Sequence, residues 1–121
     1  MKKLLYLSML LLFVLTGCTE EKKEFTVLQW NIWQEGTMIP GGYDAIVDEI
    51  IRLRPDFVTL SEVRNYNNTN FTARLTQSLK EKGETYYSFY TYDTGLLSRY
   101  PITDSLTVFP ENGDHGSIYR L

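Results

Sequence analysis

Cysteine is almost missing from this chain. Cys18 is the only one in 121 residues, so no disulfide can close within it and packing alone must hold the fold. Histidine is equally scarce: His115 stands alone, in an Asp-His-Gly stretch that reads as a solvated loop rather than a catalyst. Positive charge is short too. The formal net charge is −3, and from residue 18 onward 10 Lys and Arg face 15 Asp and Glu, a net of −5. A protein that grips nucleic acid tightly carries a basic stripe to displace phosphate counterions, and none is present. An enzyme that meets phosphates through a metal is not excluded. Long apolar runs are lacking as well. The longest, residues 4–15, has 12 residues and is broken only by Tyr6 and Ser8, whereas spanning a bilayer takes about 20. What remains is 43% hydrophobic and 22% charged, which excludes collagenous, low-complexity and disordered chains.

The apolar run follows Lys2 and Lys3, a short positive leader, and therefore reads as a signal sequence over residues 1–17. It closes on Leu15-Thr16-Gly17-Cys18, which resembles the lipobox of bacterial lipoproteins. That resemblance implies lipidation at Cys18, export, and anchoring to a bacterial cell membrane on its periplasmic or cell-surface side. The plain alternative is a free or buried thiol. Residues 18–24, with Glu20, Glu21, Lys22, Lys23 and Glu24, read as the lipid-bearing cysteine and a solvated tether.

Residues 25–121 form the folded part. A strand is expected over 25–33, rich in β-branched and aromatic residues, with Thr26, Leu28, Trp30 and Ile32 on its apolar face. Gly36 and Pro40-Gly41-Gly42 then mark a loop. Tyr43, Ile46, Val47, Ile50 and Ile51 recur at helical spacing, which predicts an amphipathic helix over 43–53, stopped before Pro55. A second strand is expected over 56–63, and strand, helix and strand this close read as a parallel βαβ unit. Phe71, Leu75 and Leu79 stripe a second helix with Gly83 as its terminator. Further strands are expected over 85–92, 95–99, 102–109 and from 117, with a loop over 110–116. The class is α/β.

In an open α/β sheet, ligands gather beyond the carboxyl ends of parallel strands. If the first two strands are parallel neighbours, Asn31 and Glu62 stand side by side there. A carboxylate in that place needs a metal, an Arg or water. Arg64 or solvent could satisfy Glu62, and Asn31 could simply serve its own loop.

Thr94-Gly95-Leu96-Leu97-Ser98-Arg99-Tyr100-Pro101-Ile102 resembles the Gly-x-x-x-Ser-Arg-Tyr-Pro-Ile segment of the endonuclease/exonuclease/phosphatase superfamily. Trp30-Asn31-Ile32 matches that family's opening strand, and Pro55, Asp56 and Glu62 match its Pro-Asp-x-x-x-x-x-Glu pattern. The resemblance covers nearly all of the chain after Cys18 but less than half of the family's domain. It implies the N-terminal portion of a two-sheet α/β sandwich with helices outside. It also implies Mg²⁺-dependent hydrolysis (Mn²⁺ as the alternative ion) of a phosphodiester or phosphomonoester in nucleic acid, a phospholipid headgroup or a sugar phosphate. Glu62 would be the metal ligand, and Asn31 would orient metal or phosphate. Ser98 and Arg99 read as mainly structural, with Arg99 paired to a carboxylate; a substrate-facing Arg99 is the lesser alternative. The family's later motifs (a strand His, an Asp-x-Asn pair and a terminal Asp-His pair) lie beyond Leu121, and the position two after Asn31 is Trp33, not an acid. A non-catalytic surface lipoprotein derived from the family is therefore the competing expectation. The sheet face meant for the rest of the domain should be apolar and open.

Overall fold

The computed structural model describes residues 22–91, 93–108 and 116–121. The signal-sequence reading of residues 1–17, the lipidation reading of Cys18, the loop over 110–116 and His115 all lie outside the described residues. Lys22, Lys23 and Glu24 are exposed and in no regular element.

The described residues form six strands and two α-helices: β1 Val27–Asn31, α1 Gly42–Leu53, β2 Phe57–Val63, α2 Phe71–Glu81, β3 Tyr87–Thr91, β4 Asp93–Ser98, β5 Asp104–Val108 and β6 Gly116–Arg120. One sheet has the order β1-β2-β4-β3, and β5 and β6 make a second. The fold is α/β, as expected. β1 and β2 are parallel, with Asn31 opposite Ser61, while β4 runs antiparallel to both β2 and β3. Among the described residues no helix is long and apolar enough to cross a membrane.

Alternation and helical spacing explain the core. Leu28, Trp30 and Ile32 of β1 and its end face the helices, together with Val58 and Leu60 of β2 and Leu97 of β4. Against them pack Ile46, Val47 and Ile50 from α1 and Phe71, Leu75 and Leu79 from α2. Asn70 caps α2, its side chain accepting the Ala73 N–H at 3.0 Å, and Gly83 follows the helix at φ +90°. Gly95 gives α2 room: a Cβ there would sit 2.6 Å from Cγ2 of Thr72.

The other face of the four-stranded sheet is partly covered. Tyr119 of β6 meets Phe89 of β3 edge-on at 5.6 Å between ring centroids. Phe25, Phe57 and Tyr100 cluster with centroids 5.6 to 5.8 Å apart. Val27 and Leu106 each stay 63% exposed, so part of the apolar surface faces water.

Candidate functional site

Strict alternation along β2 would turn Glu62 toward the helices, with Val58 and Leu60, and Val63 away from them. The structure does the reverse. The ladder between β2 and β4 shifts register between Ser61 and Val63, and Glu62 takes a left-handed φ of +63°. This is a β-bulge: one extra residue bends the strand and re-aims a side chain. Val63 swings into the helix-side core at 1% exposure. The Glu62 carboxylate turns across to the end of β1. On the partner strand Asp93, also left-handed at φ +62°, pairs with Arg64.

Asn31 and Glu62 are thus brought together. Asn31 Nδ2 donates to Glu62 Oε1 at 2.8 Å, and the Gln34 main-chain N–H donates to Glu62 Oε2 at 2.9 Å. Asn31 Oδ1 in turn accepts the Trp33 N–H at 2.9 Å, the local Asx bond that fixes its own loop. Arg64 is engaged by Asp93, so the partners recorded for Glu62 are an amide side chain and a main-chain N–H.

The loop after β1 is shaped around this pair. Trp33, Gln34, Glu35 and Gly36 have φ of +46°, +55°, +62° and +75°, a left-handed turn closed by the Gly36 N–H on the Ile32 carbonyl at 2.7 Å. Gly36 is required where it stands, because a Cβ would lie 2.6 Å from the backbone of Gly42. Tyr66 donates its hydroxyl to Gln34 Oε1 at 2.6 Å. Beside Asn31 an apolar groove of about 170 Å³ runs between Trp30, Trp33, Met38, Ile39 and Ile46.

Mg²⁺ takes hard oxygens, keeps several waters and is often held by one or two carboxylates plus substrate phosphate. The donor set fits that sparse demand. Each Glu62 oxygen accepts one hydrogen bond, which leaves a lone pair on each for a cation. Among the described residues no group of three or more His, Cys, Asp or Glu converges, so water and phosphate oxygens would complete the shell.

Ser98 and Arg99 fall elsewhere. Ser98 pairs with Phe57 at the start of β2, roughly 16 Å along the strand from Glu62 at 3.3 Å per residue. Ser98 Oγ accepts the Tyr100 N–H at 2.9 Å and ends β4. Arg99 donates to Glu84 Oε2 at 2.7 Å and to the Pro55 carbonyl at 3.2 Å, with its guanidinium 4.7 Å from the Tyr86 ring centre. Glu84, which also binds Arg54 at 2.9 Å, is the carboxylate partner expected for Arg99. The titration shifts of this sheet gather at the same end. The backbone N–H and the hydroxyl of Thr26 hold the Asp56 carboxyl below its ordinary range, and burial pushes the Tyr86 phenol up. These features register the strands and do not face the Asn31–Glu62 edge.

Sequence reasoning missed Gln34 and Glu35. Gln34 acts through its main chain, which has no side-chain signature. Glu35 is a carboxylate only 2% exposed in a loop, and nothing in its neighbours' spacing marks it as buried.

The model of the Endonuclease/Exonuclease/phosphatase family matches residues 28–120, a span containing Asn31, Glu62 and the whole Gly95-to-Ile102 segment. Neither a curated protein nor a solved structure matches the chain.

Proposed function

The chain belongs to the Endonuclease/Exonuclease/phosphatase family, and from that premise we propose that it carries the cation-holding edge of an exported, lipid-anchored phosphohydrolase. The observation that carries this reading is the 2.8 Å bond from Asn31 Nδ2 to Glu62 Oε1, at the carboxyl ends of two parallel strands. A bulge turned Glu62 there, although a left-handed residue without glycine costs roughly 1–2 kcal/mol. Strain of that kind collects at functional sites.

Glu62 and Asn31 would hold Mg²⁺, or Mn²⁺ in its place. The cation supplies charge neutralisation at the phosphoryl and leaving oxygens of a phosphodiester or phosphomonoester. Glu62 provides the anionic ligand, and its orientation is set from two sides by Asn31 Nδ2 and the Gln34 N–H. Asn31 is itself fixed by the Trp33 N–H, so its amide presents one face to Glu62. Substrate and cation are brought to the strand ends, and the Arg99 end of the sheet serves stability.

The substrate is a phosphate ester: nucleic acid, a phospholipid headgroup or a sugar phosphate. The net charge of −5 after residue 17 and a lipid on Cys18 favour a scavenging nuclease or a lipid-headgroup phosphodiesterase over a tight nucleic-acid binder. With several acyl chains on Cys18 the anchor would be firm. Glu62→Gln in the full gene product tests the site. It preserves shape and removes the charge, so Mg²⁺-dependent turnover should fall at least about 10²–10³-fold. Unchanged turnover would sink the assignment.

A further inference from the structure

We propose that Glu35 is a positioning residue for Glu62, acting through the Gln34 main chain; the proposal rests on the cation-holding role given to Glu62 above. Glu35 is a buried carboxylate that takes no part in that role, and a buried carboxylate is costly unless strongly hydrogen-bonded. Its bond is a short one: Oε1 accepts the Asn65 main-chain N–H at 2.6 Å.

Two carboxylates therefore exchange partners across two loops. Glu62, at the end of β2, takes the Gln34 N–H from the loop after β1. Glu35, the next residue in that loop, takes the Asn65 N–H, three residues past Glu62. Asn65 is a firm anchor, because its Oδ1 accepts the Phe71 N–H at 2.9 Å where α2 begins. Both carboxylates sit on left-handed backbone, which relaxes unless its surroundings hold it. The left-handed turn over Trp33 to Gly36 is also tied by the Trp33 N–H on Asn31, the Gly36 N–H on the Ile32 carbonyl, the Tyr66 hydroxyl on the Gln34 side chain and the Gly36–Gly42 approach. Glu35 joins it to the main chain of the segment carrying Glu62, whereas the Tyr66 hydroxyl reaches only the Gln34 side chain. Without that bond the Gln34 N–H drifts from Glu62 Oε2, and one of the two contacts orienting the carboxylate is lost.

The test reads amide hydrogen exchange by NMR on the full chain, with Glu35→Ala and Glu35→Gln. In Glu35→Ala, protection of the Gln34 amide should fall about tenfold while the β1–β2 ladder amides keep theirs. The dissociation constant for Mn²⁺, measured by calorimetry, should rise about tenfold, as for loss of other groups that orient a metal ligand. Glu35→Gln keeps an acceptor oxygen without the charge and should give intermediate values; it carries the test if Glu35→Ala does not fold. Unchanged Gln34 protection overturns the proposal. So does protection lost evenly across the sheet, which would assign Glu35 to stability alone, and so does selective loss at Gln34 with Mn²⁺ affinity unchanged. If the unaltered chain binds no Mn²⁺, the cation reading of Glu62 fails by itself, and exchange at Gln34 still decides whether Glu35 positions that carboxylate.

Discussion

Gly95 lies within the span that the family model matches, and the structure gives it a mechanical task that one methyl group can test. It sits on β4 opposite Leu60, where α2 crosses the sheet. A Cβ at this position would stand 2.6 Å from Thr72 Cγ2, 3.3 Å from Val63 Cγ2 and 3.7 Å from Leu60 Cβ. Thr72 has little freedom to yield. It is 1% exposed, and its hydroxyl is held on Asn70 Oδ1 at 3.0 Å, inside the cap of α2. Val63 is fixed by the bulge. Gly95→Ala must therefore move the start of α2 or the strand beneath it, and overpacking of this kind costs about 1–3 kcal/mol. Replacing glycine also removes unfolded-state entropy, which returns about 0.4–1 kcal/mol. The net is a destabilisation centred near 1.3 kcal/mol, or a drop in Tm of roughly 5–10 °C for a domain of this size.

Thermal unfolding by circular dichroism reads that shift, and a second substitution isolates its cause. Thr72→Ser deletes the methyl in the way and keeps the hydroxyl on Asn70. Alone it should cost about 0.8 kcal/mol, one buried methyl's worth. Combined with Gly95→Ala it should raise Tm above that of Gly95→Ala alone, because the two changes share one space and couple. An unaltered Tm for Gly95→Ala, or simple additivity in the double variant, would refute the argument.

Two further outcomes follow from the opposite end of the sheet. Arg99→Ala removes the bonds to Glu84 and the Pro55 carbonyl and the contact over Tyr86, so stability should fall by about 2–3 kcal/mol in urea titration. Turnover and cation dependence of the full gene product, measured below the new Tm, should hold; a raised KM with unchanged stability would mean that Arg99 faces substrate after all. The folded-state pKa of Asp56 lies below its unfolded value of about 3.9 because Thr26 donates to the ionised carboxyl. The stability it contributes is therefore fully present above about pH 4 and is lost as pH falls through the folded value. Asp56→Asn should show a smaller loss of Tm than the unaltered chain on acidification below pH 4, and parallel Tm curves would contradict this.

Local periodicity made the scaffold legible. Alternation in Leu28, Trp30 and Ile32, helical spacing from Tyr43 to Ile51, and Val58 with Leu60 were enough to set two parallel strands around a helix. That alone brought Asn31 opposite Ser61, one residue from Glu62. The bulge that turns Glu62 to Asn31 was illegible for a physical reason. Period-two alternation assigns Glu62 to the helix side, and only a bulge reverses it. Bulges and left-handed turns announce themselves in sequence through glycine, yet Glu62, Asp93, Trp33, Gln34 and Glu35 all adopt positive φ without it. Their conformation is imposed by long-range bonds, Glu62 to Gln34 and Glu35 to Asn65, whose ends lie 28 and 30 residues apart. The pairing of β4 with β2 is equally non-local and left no periodic trace. The Gly95-to-Ile102 segment, one of the three that carry the resemblance, belongs to this same non-local layer. Its glycine seats α2 and its arginine anchors the start of β2, so it carries family identity while standing roughly 16 Å along the strand from the pair proposed to do the chemistry. A motif can thus be diagnostic because the fold needs it, and the residues that meet the substrate must still be argued from their own geometry.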